Sequence, residues 1–268
     1  CMSIDTHETS NGTLIERLFG AGAHFGFSKS RRHPSIKKYI FTHKDGTDIF
    51  DLEQTSALLA TATELMKTAG AEGKTVLYVS TKPEASTIVH SFATRAAMPF
   101  VVNRWIGGIL TNWSEIRKRI ERMKALVAER ESGELERKYT KKERVVIGRE
   151  IDKLEFNFGG ISAMDRMPQY LLIVDPRHDS IAVQEAKDMR IPVIASMSSD
   201  CNAKDITYPI VVNDALKASI TLALEELTAA YESGRSTYVP APVVRTTRPP
   251  LRANEAPRRP RPTTDRRS

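Results

Sequence analysis

Apolar positions along most of the chain alternate between two periods, and the alternation predicts the architecture. YIFTHKDGTDIFDL (39–52) reads as two short strands around Asp45-Gly46, a dipeptide suited to the positive φ values of a tight hairpin. Leu58, Leu59, Ala62, Leu65, Met66 and Ala69 then repeat at helical spacing and predict a helix over 53–72. KTVLYVS (74–80) is a continuous apolar strand, Pro83 opens a helix over 83–97, and PFVVN (99–103) is the next strand. Later, YLLIVD (170–175), IPVIAS (191–196) and YPIVV (208–212) predict strands, with helices over 179–189 and 213–232. Continuous apolar strands between helices imply a parallel, flavodoxin- or Rossmann-like α/β sheet covered on both faces.

The stretch between the two halves of this pattern has another texture. In residues 114–158, Ile116, Ile120, Met123 and Val127 step by four, three and four. Ile147, Ile151, Leu154 and Phe158 step the same way on the return, which predicts an antiparallel coiled-coil hairpin. Gly133 marks the break, and Thr140 with Glu143 forms a capping box for the second arm. The first arm would extend about 28 Å at 1.5 Å per residue, too long to hide in the core, so the hairpin is expected to project and to need support at its tip. The domain reading is an N-terminal arm (1–35), a discontinuous α/β core (36–104 and 159–232), an inserted hairpin (105–158) and a tail (233–268). The tail has seven prolines between Pro240 and Pro262 and is expected to be disordered.

Charge changes the picture only locally. The net charge is +7, but residues 245–268 hold eight arginines against Glu255 and Asp265, which leaves the first 244 residues at +1. Any polyanion contact of the body must therefore come from patches. No run is apolar and long enough for a membrane span, and Asp5, Glu8 and Glu16 argue against a secretory or mitochondrial leader. Two cysteines make no disulfide framework, and a reducing, cytoplasmic setting fits.

Catalytic signatures are missing from the sequence. The turn after VLYVS reads TKPEA, without the glycines a pyrophosphate needs, and there is neither a phosphate loop nor a nucleophile elbow. Lys82, beside the start of the 83–97 helix, is a candidate phosphate seat. His24, His33, His43 and Cys201 lack the spacing of a structural zinc site, so no metal and no cofactor is expected. His24 reads instead as a packed, hydrogen-bonded side chain, and Asp175 before Pro176 as a structural turn. Two basic patches stand out. Lys29, Arg31, Arg32, Lys37 and Lys38 lie among Phe27, His33 and Tyr39, a mixture suited to phosphate contact and base stacking. Arg104, Arg117, Lys118, Arg119 and Arg122 gather at the hairpin root.

The hairpin root also carries both tryptophans and a diglycine, in RWIGGILTNWSEIRKRI (104–120). This closely resembles the RWxGGxLTNWxTIRxSI segment of the bacterial-type small ribosomal subunit protein uS2 family. GAHFGF (22–27), LYVSTKPEAS (77–86), KLEFNFGGI (153–161) and IVDPRHDSIAVQEA (173–186) match in family order, and the resemblance covers most of residues 14–232. It implies a structural, non-catalytic part of the small subunit, placed between head and body on ribosomal RNA beside other small-subunit proteins. In many bacteria the family also helps hold the large OB-repeat protein that recruits messenger RNA. Carried onto this chain, the candidate RNA-binding positions are the two patches with Lys82 and Asn112. Trp105, Gly107, Gly108 and Trp113 form the expected joint between hairpin and sheet. Phe27 stands where the family has a second histidine, and Val212 where it has glycine. A nucleotide-dependent α/β enzyme and a cytoplasmic protein scaffold are the rival readings.

Overall fold

The computed structural model describes residues 13–238; the expectations for residues 1–12 and 239–268 lie outside the described residues. Helix α1 (Leu14–Gly20) begins at a Thr13–Glu16 capping box and leads into strand β1 (Phe25–Ser28). Strands β2 (Ile40–Lys44) and β3 (Thr47–Phe50) form the expected hairpin, with positive φ at both Asp45 and Gly46. The arm does more than expected: β1 pairs antiparallel with β3, giving a three-stranded sheet of order β1-β3-β2.

The main sheet is parallel throughout, with order β5-β4-β6-β7-β8. Its strands are β4 (Val76–Val79), β5 (Phe100–Val101), β6 (Tyr170–Val174), β7 (Val193–Met197) and β8 (Tyr208–Val211). Helices α2 (Leu52–Ala71), α3 (Pro83–Ala96), α7 (Ser180–Asp188) and α8 (Lys217–Ser236) flank it. Strand pleating divides the core in two. Val76, Tyr78, Leu172, Val174, Ile194 and Ile210 face α1, α2, α3 and α8. Leu77, Val79, Ile173, Ala195, Met197 and Val211 face α7, the small sheet and the insertion. Helix α8 starts four residues later than the pattern suggested. Asn213 Oδ1 accepts from the amides of Ala215 (3.0 Å) and Leu216 (3.2 Å), and this side-chain turn competes with helix.

The insertion consists of α4 (Trp113–Glu131), a short α5 (Glu134–Lys138) and α6 (Lys141–Phe158). Gly133 takes positive φ at the break and the Thr140–Glu143 capping box is formed. Ile116, Ile120, Met123 and Phe158 belong to the core on the α7 side of the sheet, so the root is continuous with the body. Farther out, Leu126, Leu135 and Ile151 are buried without belonging to either main core. The insertion thus covers its own outer part, with Leu135 contributed by a short helix that the apolar spacing did not predict. Leu126, rather than Val127, is the fully buried position there.

Candidate nucleic-acid interface and hairpin joint

One carboxylate organises the joint. Glu185, on α7 between Ala182 and Ala186 in the core, is buried beneath the loop that leads into α4. Its Oε1 accepts from Trp105 Nε1 (3.1 Å) and the Gly108 amide (2.8 Å). Its Oε2 accepts from the amides of Leu110 (3.0 Å) and Thr111 (3.3 Å) and from the Thr111 hydroxyl (3.3 Å). Burial pushes this carboxyl up, but the Gly108 amide, Trp105 and the other donors outweigh it and hold it below its ordinary value. Trp105 and Ile109 are buried in the same core as the root of α4, and Trp113 packs against it. Gly108 has φ of 95°, a conformation that side chains resist, whereas Gly107 has open space around the position of a Cβ. The backbone requirement therefore falls on Gly108. Glu185 was not among the residues singled out from sequence. Its only signal is a carboxylate on the apolar stripe of a short helix.

The first basic patch sits on two 3-10 turns, Lys29–Arg31 and Pro34–Tyr39, anchored by Ile36 and Tyr39. Its members differ in availability. Lys29, Lys37 and Lys38 are exposed. Arg31 lies 4.0 Å over the Phe27 ring and 3.1 Å from Asp200. Arg32 is committed inward, its Nε and Nη2 donating to Asp48 at 2.7 and 2.5 Å, with His43 Nδ1 2.9 Å from the same carboxylate. Burial raises the Asp48 carboxyl, yet Arg32 and His43 overcome it and the pKa is lowered. A lowered carboxylate contributes stability that is present above its unfolded value, near 3.8, and is lost as pH falls through the folded value. Asp48→Asn should cost about 2 kcal/mol at pH 6 and less at pH 3. Urea midpoints at the two pH values check this; an equal loss at both would refute the assignment.

At the hairpin root, Arg104 and Arg119 are exposed and take part in no ion pair among the described residues. Arg117 pairs with Glu121 (3.2 Å), Lys118 with Glu115 (2.6 Å) and Arg122 with Glu150 (3.6 Å), all on the surface where such pairs yield readily. Asn112 precedes α4 and accepts from the Ser114 hydroxyl at 3.4 Å. The anchors of both patches, Ile36 and Tyr39 for one and Trp105 and Ile116 for the other, lie in one core on one face of the sheet.

Lys82 is placed differently from the expectation of an open phosphate seat. Its Nζ lies 3.0 Å from Asp175 Oδ2 and 3.3 Å from Asp214 Oδ1, and its side chain is only 13% exposed. Asp175, Cys201 and Asp214 bring their ligand-type atoms within 4.8 Å of one another, and the Lys82 ammonium supplies the positive charge there. Burial pushes the Asp214 carboxyl up to about 7, with Asp175 adding to the effect and Lys82 opposing it. Next to this cluster, Asp179 accepts from the Thr81 amide (2.9 Å) and hydroxyl (2.6 Å). These contacts lie at the crevice between the ends of β4 and β6, where the strand order reverses and where α/β folds seat their ligands.

A third surface is aromatic. Phe19, Phe25 and Phe41 are exposed around His24, whose ring stacks on Phe19 (4.5 Å) and tilts against Phe25 (4.0 Å). His24 Nδ1 has no hydrogen-bond partner among the described residues, contrary to the expected bonded side chain, and burial lowers its pKa.

Residues 18–234 match the family model described as Ribosomal protein S2. The chain belongs to that family. It is 42% identical to the small ribosomal subunit protein uS2 of Salinibacter ruber, over 84% of this chain and 70% of the relative. It is 39% identical to the protein of the same name from Acidothermus cellulolyticus, over 82% and 80%. The uS2c protein of Rhodomonas salina is 39% identical over 84% and 91%. These relatives are structural ribosomal proteins, not enzymes. Among the described residues, no helix is long and apolar enough to cross a membrane.

Proposed function

We propose that this member of the S2 family is a structural constituent of the small ribosomal subunit in the cytoplasm, seated between head and body on 16S-type ribosomal RNA through its two basic patches. The observation that carries the reading is the common anchoring of both patches in one core on one face of the sheet. Lys29, Lys37, Lys38, Arg104 and Arg119 are the cations best placed to meet phosphates, with Arg117, Lys118 and Arg122 held only by surface pairs and Arg31 exposed but held by Phe27 and Asp200. Arg32 and Lys82 serve the fold in this reading, through Asp48 and through Asp175 with Asp214. Asn112, exposed and with no side-chain bond to the amides of α4, is a further candidate for RNA contact. Neighbouring small-subunit proteins complete the setting. The exposed Phe19, Phe25 and Phe41 are suited to a protein neighbour, and the large OB-repeat protein that recruits messenger RNA is the one the family resemblance implies.

Sedimentation of a tagged copy tests the reading. The protein should travel with intact small subunits in near-stoichiometric amounts. Arg104→Glu with Arg119→Glu should reduce binding to small-subunit RNA at least tenfold and flatten its salt dependence by about 0.7–0.9 for each phosphate no longer neutralised. Both side chains are exposed, so the urea midpoint should hold. Wild-type protein that stays at the top of the gradient, in cells whose ribosomes hold no other copy, would remove the proposal.

A further inference from the structure

We propose that the groove beside edge strand β5 holds one unpaired guanine of ribosomal RNA, an inference that rests on the RNA reading above. A cleft of about 380 Å³ lies where β5 and its following loop meet α3 and the end of α6, and its lining includes His90, Arg104, Glu155 and Phe156. That volume falls within the roughly 300–1,000 Å³ common for small-ligand clefts. A larger cleft of about 580 Å³ shares Phe100, Gly159 and Gly160 with it and reaches Arg166. The two clefts adjoin through these residues, and each is lined by an exposed arginine. The arginine ion pairs among the described residues involve neither Arg104 nor Arg166.

Phe156 is 58% exposed on a helix whose inner face is already buried through Ile151 and Phe158. Packing among the described residues therefore does not account for it. Asn103 Nδ2 donates to the Phe156 carbonyl at 2.8 Å and ties the Arg104 loop to this end of α6. An exposed planar ring beside an arginine is the combination that receives an unstacked base: the ring stacks and the guanidinium takes an adjoining phosphate. Glu155 selects the base. A carboxylate only accepts, and guanine alone presents two neighbouring donors, N1–H and the N2 amino group, on its Watson–Crick edge. Adenine and cytosine offer one amino group beside an acceptor, and uracil one N–H between two carbonyls. The last carbonyls of α6 also favour donors over phosphate at this end of the cleft.

Kethoxal, which reacts with N1 and N2 of unpaired guanines, reads the proposed contact directly. Small subunits would be assembled without the protein, with the wild type, and with Phe156→Ala, Phe156→Tyr or Glu155→Gln. The wild type and Phe156→Tyr should protect one guanine at least fivefold relative to Phe156→Ala and Glu155→Gln, within an otherwise similar footprint. Both positions are exposed, and matching urea midpoints would exclude a folding defect. A wild-type footprint that is reproduced in full by Phe156→Ala and Glu155→Gln overturns the guanine pocket and leaves the RNA reading standing. A wild-type protein that protects no RNA at all overturns both.

Discussion

Glu185→Ala is expected to destabilise the protein by about 4 kcal/mol and to prevent its stable incorporation into small subunits. The substitution removes the acceptor for Trp105, the Gly108, Leu110 and Thr111 amides and the Thr111 hydroxyl together. Buried donors without a partner bear their full desolvation cost, so the loss exceeds that of one hydrogen bond. Glu185→Gln should lose about half as much, because one carbonyl oxygen remains while the amide group turns donors against donors. The comparison separates the charge from the volume of the side chain. Urea unfolding of both variants provides the measurement, and a loss under about 1 kcal/mol for Glu185→Ala would show that the loop holds itself.

Gly234→Val should cost about 3 kcal/mol, toward the upper part of the range for overpacking. Helices α2 and α8 touch through their backbones. A Cβ at Gly234 would stand 1.9 Å from the Lys67 carbonyl oxygen, and one at Gly70 would stand 2.2 Å from that of Tyr231. Backbone cannot rotate aside as a side chain does, so the helices must separate along the face where Leu59, Met66, Leu224 and Leu227 are buried. Gly107→Ala is the control: nothing lies within 4 Å of its Cβ position, and its stability should change by about 0.5 kcal/mol or less. Equal midpoints for Gly234→Val and wild type would mean that the two helices can part without loss.

What the sequence made legible was what local pattern encodes. The Asp45-Gly46 hairpin, the helix from Leu52, the β4-to-α3 passage at Pro83 and the Thr140 cap each carry their signal within a few residues. The strands of the parallel sheet were legible because burial on both faces leaves continuous apolar runs. What escaped depends on partners far along the chain. FGFS is too short to announce a strand, and β1 exists because β3 lies beside it. Gly70 and Gly234 look like ordinary helix-weakening residues until α2 and α8 are crossed. Lys82 looked available because Asp214, 132 positions later, carries no local sign that it faces the same crevice. The basic patches were legible as composition, but the division between Arg32, bound to Asp48, and Lys37 or Lys38, left outside, needed the fold.

The Glu185 joint also has a consequence in time. A chain leaves the ribosome that makes it N-terminus first, at about 5–20 residues per second. Trp105 therefore emerges before its acceptor, 80 residues downstream, by about 4–16 s. Leu126, Leu135 and Ile151 are buried outside both main cores, so the outer part of the insertion can form in that interval, while the loop at its base still has only water for its amides. The root of the insertion shares a core with α7 and is fixed when α7 arrives, so the newborn protein forms the outer part of the insertion before the part that joins it to the sheet.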